Sequence, residues 1–117
     1  MIEGTVTNDG VPTIRVDIDN CQWQAVIDTG FNGALELPER LRTRLNAEFV
    51  GRVTSLLAAN QEIRENAFLV DFPFDGETLR VQATFVDGDE ILIGTRILMV
   101  FRLTIDFPAR TVVIEKA

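Results

Sequence analysis

Apolar and polar residues alternate along much of this chain, and alternation with a period of two is typical of strands that bury one face. Residues 14–18 show the pattern most clearly, because Ile14, Val16 and Ile18 alternate with two charged residues. Turn-forming residues separate such segments, and Asp75-Gly76 is a strong two-residue hairpin signal. The segments predicted as strands are 3–7, 14–18, 22–27, 34–37, 53–57, 63–70, 68–74, 78–86, 90–94, 103–107 and 111–115.

Two short segments carry helical signals instead. Pro38 followed by Glu39 suits the first turn of a helix, and Leu41 and Leu45 lie four residues apart on one face. The second segment is 95–102, where apolar residues cluster at helical spacing. The sum is a mainly β chain with one or two short helices, and the density of turns favours a closed barrel or a sandwich over a parallel sheet.

Composition narrows the classes of protein that fit this pattern. With 117 residues and 46% hydrophobic content, the chain suits one domain, residues 1–117, with a single core. A net charge of −7 argues against nucleic acid as a partner, because nucleic-acid binders present basic surfaces. The chain has no histidine, which excludes histidine triads and imidazole-ligated zinc within it. Its single cysteine, Cys21, forms no internal disulfide.

Targeting and membrane signals are also missing from the sequence. No apolar run approaches the length of a membrane span, and no N-terminal run suggests a signal peptide. We therefore expect a cytoplasmic protein with no membrane partner, no metal and no other cofactor. Any acid–base chemistry must come from carboxylates.

The segment AVIDTGFNGALELP, residues 25–38, holds the strongest candidate for chemistry. Two apolar residues precede Asp28, so its carboxylate comes at the end of a buried strand, and Thr29 and Gly30 form a sharp turn. Glycine lets a ligand approach the main chain closely, and a threonine hydroxyl can bond neighbouring backbone and hold the loop. These residues predict a preorganised carboxylate. An ordinary turn is the alternative, because the same three residue types also form structural turns.

A second segment, EILIGTRILMVFRLTIDF at 90–107, follows the same design. An apolar strand runs through Ile93 into Gly94, and a short amphipathic helix follows. Together the two segments resemble the retropepsin-like aspartic proteases, which join a hydrophobic-hydrophobic-Asp-Thr-Gly loop to a later hydrophobic-hydrophobic-Gly loop. Asp28 and Gly94 have the separation that this family shows, and the resemblance covers nearly the whole chain.

The resemblance implies a closed, barrel-like acid protease fold with one lobe per chain, and an aspartic endopeptidase as the activity. Such an enzyme uses two carboxylates that share one proton, because like charges about 3 Å apart cannot both ionise. One Asp-Thr-Gly supplies half of the pair, so the resemblance implies a homodimer whose two Asp28 side chains meet on the two-fold axis. It further implies that the Thr29 hydroxyl bonds to the other copy's loop, that the Gly30 backbone contacts a peptide or protein substrate, and that Ile93 and Gly94 form the second loop.

Three residues depart from the retroviral members of the family. Phe31 stands where retroviral and pepsin-type members usually have alanine or serine, and an aromatic residue there looks more like bacterial members. Retroviral members also pair an acidic residue with an arginine, whereas the matching positions hold Asn32 and Thr95, with Arg96 one place further on. The familiar ion pair is thus absent or rebuilt.

The flap and the C-terminus depart as well. By position, the hairpin that covers the active site is 52–68, with its tip at Ala58, Ala59 and Asn60. Retroviral flaps are rich in glycine, whereas this chain has no glycine between Gly51 and Gly76 and no tyrosine. The apolar run 112–114 either joins a dimer sheet or closes the subunit's own barrel, and we favour the second because short apolar runs are usually core.

Two alternatives to the protease stay open at this point. A non-catalytic dimeric module could keep the fold and bind an extended peptide as an added strand, and the glycine-free flap motivates this possibility. A monomeric β protein with an accidental Asp-Thr-Gly is the other. Peptide cleavage separates the first from the enzyme, and the mass in solution separates the second.

Overall fold

The predicted strands pair side by side into one sheet. In the computed structural model, which describes residues 1–56 and 58–117, this sheet has ten strands. They are β1 (Ile2–Val6), β2 (Pro12–Ile18), β3 (Cys21–Ile27), β4 (Leu35–Pro38), β5 (Glu48–Leu56), β6 (Glu62–Phe74), β7 (Glu77–Val86), β8 (Ile91–Ile93), β9 (Phe101–Asp106) and β10 (Thr111–Lys116). Every predicted strand segment has a counterpart, although the predicted end of the 53–57 segment, Leu57, lies outside the described residues.

The sheet is open, so the predicted closed barrel is not confirmed, whereas the mainly β prediction is. The strand order is β5-β6-β7-β4-β8-β3-β2-β1-β10-β9, which leaves β5 and β9 as edge strands within the described residues. Closure would need hydrogen bonds between β5 and β9. Each of these strands is instead the outer strand of a hairpin, β5 with β6 and β9 with β10.

Two hairpin turns have left-handed backbone at both central residues, which matches the twist of the strands they join. Asp75 and Gly76, with φ of 52° and 76°, join β6 to β7 and confirm the predicted hairpin. Asp19 and Asn20, with φ of 51° and 64°, join β2 to β3. The first of these turns sets the register of the long β6–β7 hairpin, which carries one side of the cavity discussed below.

The helical segments are shorter than predicted. Glu39–Leu41 form a single 3-10 turn, and both Leu41 and Leu45 are buried, so the predicted apolar face is confirmed although the segment is not an α-helix. The Leu45 carbonyl accepts a hydrogen bond of 2.8 Å from the Asp71 N–H of β6, and this contact replaces a further helical turn. Helix α1 spans only Thr95–Leu98, because Phe101 already belongs to β9. Within the described residues, no helix has the length and apolar character needed to cross a membrane.

One apolar core lies against the sheet. Its largest fully buried apolar residues are Phe72, Ile14, Leu35, Leu37, Leu41, Ile91, Ile93, Ile114, Val70, Val112 and Pro38. Val112 and Ile114 of β10 are 0% exposed, and β10 pairs with β1 and β9 of the same chain. The run 112–114 therefore belongs to the subunit's own sheet and core, but the barrel that it was expected to close is open.

Candidate active site

The insertion of β8 between β3 and β4 positions the Asp28 loop. β3 and β4 are consecutive in sequence, yet both pair with β8: Ile27 of β3 lies beside Ile93 in parallel, and Leu35 of β4 lies beside Ile93 in antiparallel. The loop between β3 and β4 therefore has to pass the end of β8, where Gly94 follows. The structure thus brings together the two loops that the sequence predicted as one site.

Backbone hydrogen bonds hold the two loops against each other. The Asp28 N–H donates to the Ile93 carbonyl at 2.9 Å, and the Gly94 N–H donates to the Ala34 carbonyl at 3.0 Å. The Thr95 N–H donates to the Phe31 carbonyl at 2.9 Å. These bonds join both ends and the middle of the Asp28 loop to 93–95, so main-chain hydrogen bonds hold the loop that carries Asp28.

Gly94 is required by close approach and not by its own backbone angles, since its φ is −102°. A Cβ atom placed there would lie 2.1 Å from the Gly33 carbonyl oxygen and 2.7 Å from the Phe31 carbonyl oxygen. Such distances are far inside van der Waals contact. A side chain at position 94 would therefore force the two loops apart.

The Asp28 carboxylate is held by its own loop. The Gly30 N–H donates to Asp28 Oδ1 at 2.9 Å, and the Phe31 N–H donates to the Asp28 carbonyl at 3.2 Å, which closes a tight turn. Asp28 is half-buried, whereas Thr29 and Gly30 are exposed. A hydrogen bond from backbone N–H fixes the direction of the carboxylate. The loop therefore presents a fixed acceptor group at the surface of the subunit.

Phe31 and its neighbours fill the remainder of the loop. The Phe31 ring lies so close to Gly33 and Gly94 that a Cβ on either glycine would come within 2.7 Å of a ring carbon. The Thr95 hydroxyl donates to the Phe31 carbonyl at 3.3 Å, and the Arg96 N–H donates to the Gly33 carbonyl at 3.2 Å. Thr95 and Arg96 therefore join the two loops through backbone and hydroxyl hydrogen bonds. Asn32 is uncharged, so it forms no ion pair with Arg96.

The predicted flap is the β5–β6 hairpin. Its tip, Ala58–Asn60, forms an exposed 3-10 turn in which Ala59 and Asn60 have φ of 61° and 60°. Left-handed backbone at a tip usually favours glycine, so alanine carries a conformational cost there. The described tip residues line none of the cavity beside the Asp28 loop, although Val53 and Glu65 from the body of the hairpin do.

Sequence reasoning missed one carboxyl group near Asp28. Glu36 lies between the buried Leu35 and Leu37 of β4, so it faces away from the core. Burial raises the pKa of the Glu36 carboxyl above its ordinary value, and the negative charges of Glu65 and Asp28 raise it further. The alternation within 35–37 was the available signal that Glu36 faces the same side of the sheet as the site. Among the described residues, no group of three or more acidic or cysteine side chains is placed to hold a metal ion.

The fold is similar to that of known proteases. A retropepsin-like aspartic protease from Rickettsia conorii matches with a TM-score of 0.67 and 19% identity, over 98% of this chain and 89% of that one. A foamy viral protease-reverse transcriptase in complex with an RNA/DNA hybrid matches with a TM-score of 0.60 and 15% identity, over 83% of this chain and 13% of that one. A second foamy viral structure, in complex with double-stranded DNA, has the same TM-score and identity and is covered over 17% of its length.

At the level of sequence, no protein-family model and no curated protein matches this chain. The match to the Rickettsia conorii protein covers 98% of this chain, and the foamy viral matches cover 83%. The chain therefore has a retropepsin-like fold.

Proposed function

We propose that this protein is an aspartic endopeptidase that acts as a homodimer, with one Asp28 from each copy. The observation that carries the proposal is the clamped carboxylate at the end of β3. Asp28 Oδ1 accepts a hydrogen bond from the Gly30 N–H, and the backbone N–H of Asp28 donates to the carbonyl of Ile93, the residue before Gly94. The retropepsin-like fold supports the same function.

The proposed reaction needs one ionised and one protonated carboxyl group. The ionised Asp28 takes a proton from a bound water, and the water oxygen adds to the scissile carbonyl carbon. The protonated Asp28 of the other copy donates its proton to the carbonyl oxygen. The Asp28 that took the water proton then donates it to the amide nitrogen, and the other Asp28 takes a proton from a hydroxyl of the tetrahedral diol. The C–N bond breaks as the new carboxyl group forms, so the pair again shares one proton. The proposed substrate is an extended peptide or protein, and we propose a cytoplasmic location with no nucleic acid or membrane partner.

The surface next to the Asp28 loop supports pairing with a second copy. Thr29 and Gly30 are exposed there, and Thr95, which is bonded to the loop, begins the short helix α1. Met99 and Val100 follow that helix and are 74% and 69% exposed. Exposed apolar side chains beside an open edge strand, here β9, form a surface suited to another chain. In the proposed dimer this surface brings the two Asp28 loops face to face.

Replacing Asp28 by asparagine tests the proposal. Asparagine keeps the Oδ1 acceptor for the Gly30 N–H and removes the charge and the exchangeable proton, so the loop should stay folded while cleavage is lost. The matched control is Asp17→Asn, because Asp17 is an exposed aspartate on β2. Both variants and the wild type are incubated with a diverse peptide mixture over a pH series, and products are read by mass spectrometry. Light scattering reports the mass of each protein.

We expect cleavage by the wild type and by Asp17→Asn, inhibition by a statine-containing transition-state mimic, and no cleavage by Asp28→Asn at an unchanged dimer mass. Full activity of Asp28→Asn would refute the mechanism, and a monomeric mass in an active wild type would refute the shared site. Saturable peptide binding without cleavage by the wild type would instead favour the non-catalytic module. This module is the second candidate because Ala59 at the flap tip has left-handed backbone, with φ of 61°.

A further inference from the structure

A cavity of about 610 Å³ opens beside the Asp28 loop. It is lined by residues 31–33 of the Asp28 loop, by Glu36 of β4 and by Thr84 of β7. The flap hairpin contributes Val53 and Glu65 to the lining. A volume of this order holds a large side chain. A peptide lying across Asp28 therefore has one of its side chains next to this cavity.

Two carboxylates face this cavity because of strand register. Glu36 pairs with Thr84 of β7, which also lines the cavity, while the flanking leucines of β4 are in the core. Glu65 of β6 pairs with Val53 of β5, so these two residues occupy one position of the flap hairpin. Both glutamates are half-buried. They come from strands far apart in sequence and meet because β4 pairs with β7, which pairs with β6.

The positive groups near the cavity do not neutralise these carboxylates. Arg80 lines the cavity, but its guanidinium donates to Asp71 at 3.2 Å and to Glu48 at 3.0 Å. Arg96 also lines the cavity, with its side chain exposed to solvent. Within the described residues, neither Glu36 nor Glu65 forms a salt bridge. The raised pKa of Glu36 agrees with a carboxyl group that lacks a cation.

The remaining walls suit the methylene groups of a long basic side chain. Val53, Leu69 and Val81 line the cavity between the two glutamates and the strands behind them. Lysine and arginine place their methylene groups along apolar surface while the charged end reaches a polar partner. We propose that this cavity is a substrate subsite for a lysine or arginine side chain, with Glu36 and Glu65 as the residues that set the preference. The role of this subsite in cleavage rests on the proposed peptidase function, whereas binding of the basic side chain does not require cleavage.

Paired peptides test the subsite. In each pair one residue near the scissile bond is lysine or norleucine, which share the methylene chain and differ in the ammonium group. The position is chosen from the cleavage profile of the wild type, or scanned along the peptide when no cleavage occurs. The measured quantity is the ratio of kcat/KM for the lysine peptide to that for the norleucine peptide, in the wild type, Glu36→Gln, Glu65→Gln and the control Glu3→Gln. Glu3 is an exposed glutamate on β1, outside the cavity.

A second readout keeps the subsite separate from catalysis. The Asp28→Asn protein binds the same fluorescent peptides uncut, and anisotropy gives the ratio of dissociation constants. We expect the lysine peptide to be favoured by both readouts. Each glutamine variant should lower the ratio by roughly tenfold, which matches the lower end of the contribution of a hydrogen bond to a charged group. Glu3→Gln should leave the ratio unchanged.

The outcomes distinguish failure of the subsite from failure of the proposed function. Cleavage without a preference for lysine, or a preference that both glutamine variants retain, would overturn the subsite and leave the peptidase standing. Binding of the lysine peptide that depends on Glu36, with no cleavage by the wild type, would support the subsite and overturn the peptidase. Absence of both binding and cleavage would overturn both.

Discussion

Gly94→Ala adds one carbon atom at the contact between the two loops, and the structure predicts a large loss of stability for it. The new methyl group would lie 2.1 Å from the Gly33 carbonyl oxygen. That carbonyl cannot turn aside freely, because it accepts the Arg96 N–H, and the nearby Phe31 carbonyl accepts the Thr95 N–H at 2.9 Å. Relief of the clash therefore breaks two backbone hydrogen bonds, at about 1 kcal/mol each, in addition to about 1–3 kcal/mol for overpacking. We expect unfolding free energy to fall by about 3–5 kcal/mol.

Urea unfolding followed by the fluorescence of Trp23, the only tryptophan, measures this change. The side chain of Arg40 lies 5.0 Å from the centre of the Trp23 ring, so unfolding alters the environment of the indole. Protein concentration must be equal in all samples, because dimer formation would couple stability to concentration. A two-state fit then gives the free energy for each variant.

The control is Gly10→Ala, which separates backbone strain from steric clash. Gly10 has φ of 84° and open space around its Cβ position, so alanine there costs only about 1–2 kcal/mol for left-handed backbone. Gly94 has ordinary backbone angles, so its cost comes from contact alone. A Gly94→Ala protein that is no less stable than Gly10→Ala would refute the interpretation that the two loops are in enforced contact.

Three further predictions concern the core and two carboxyl groups. Phe72→Ala, at a side chain that is 0% exposed, should lower the unfolding free energy by about 3–5 kcal/mol in the same urea assay, and a smaller loss would show that the core collapses to fill the space. Glu36→Gln should raise the unfolding free energy at neutral pH, because burial raises the pKa of Glu36 in the folded state and the ionised carboxylate therefore destabilises that state. The gain should vanish as pH falls below the ordinary carboxyl range, and a loss of stability at neutral pH would contradict the prediction. The side-chain hydrogen bond from Asn46 is the main cause that lowers the pKa of Asp71, so Asn46→Gly, which keeps the left-handed backbone, should raise that pKa in a carboxyl NMR titration; an unmoved titration would assign the shift to Arg80.

Local signals in the sequence account for most of the strands and turns. The two-residue period of 14–18 and the Asp75-Gly76 turn depend on neighbours in sequence, and the structure confirms both. The proximity of Asp28 and Gly94 was predicted only through resemblance to a family, because no local rule relates residues so distant in the chain. The structure brings them together through the pairing of β3 with β8.

Tertiary contacts overrode the local signals at three places. The 95–102 segment has helical spacing, yet its last two residues belong to β9, which pairs with β10. The segment after Pro38 stops after one 3-10 turn because Leu45 bonds to β6. The predicted barrel stays open because alternation of apolar and polar residues specifies which face of a strand is buried and says nothing about which edge finds a partner.

The insertion of β8 connects the candidate catalytic group with the cavity that we propose as its subsite. Because β8 separates β3 from β4, the connecting loop is clamped at Asp28 and again at Ala34. β4 then starts with a fixed register and turns Glu36, two residues further on, toward the cavity. Backbone pairing thus fixes the spacing between the main chain at Asp28 and the main chain at Glu36. A preference for a basic residue that arises from Glu36 should therefore occur at one constant distance from the cleaved bond, and a preference that wanders among several positions would place its origin outside this cavity.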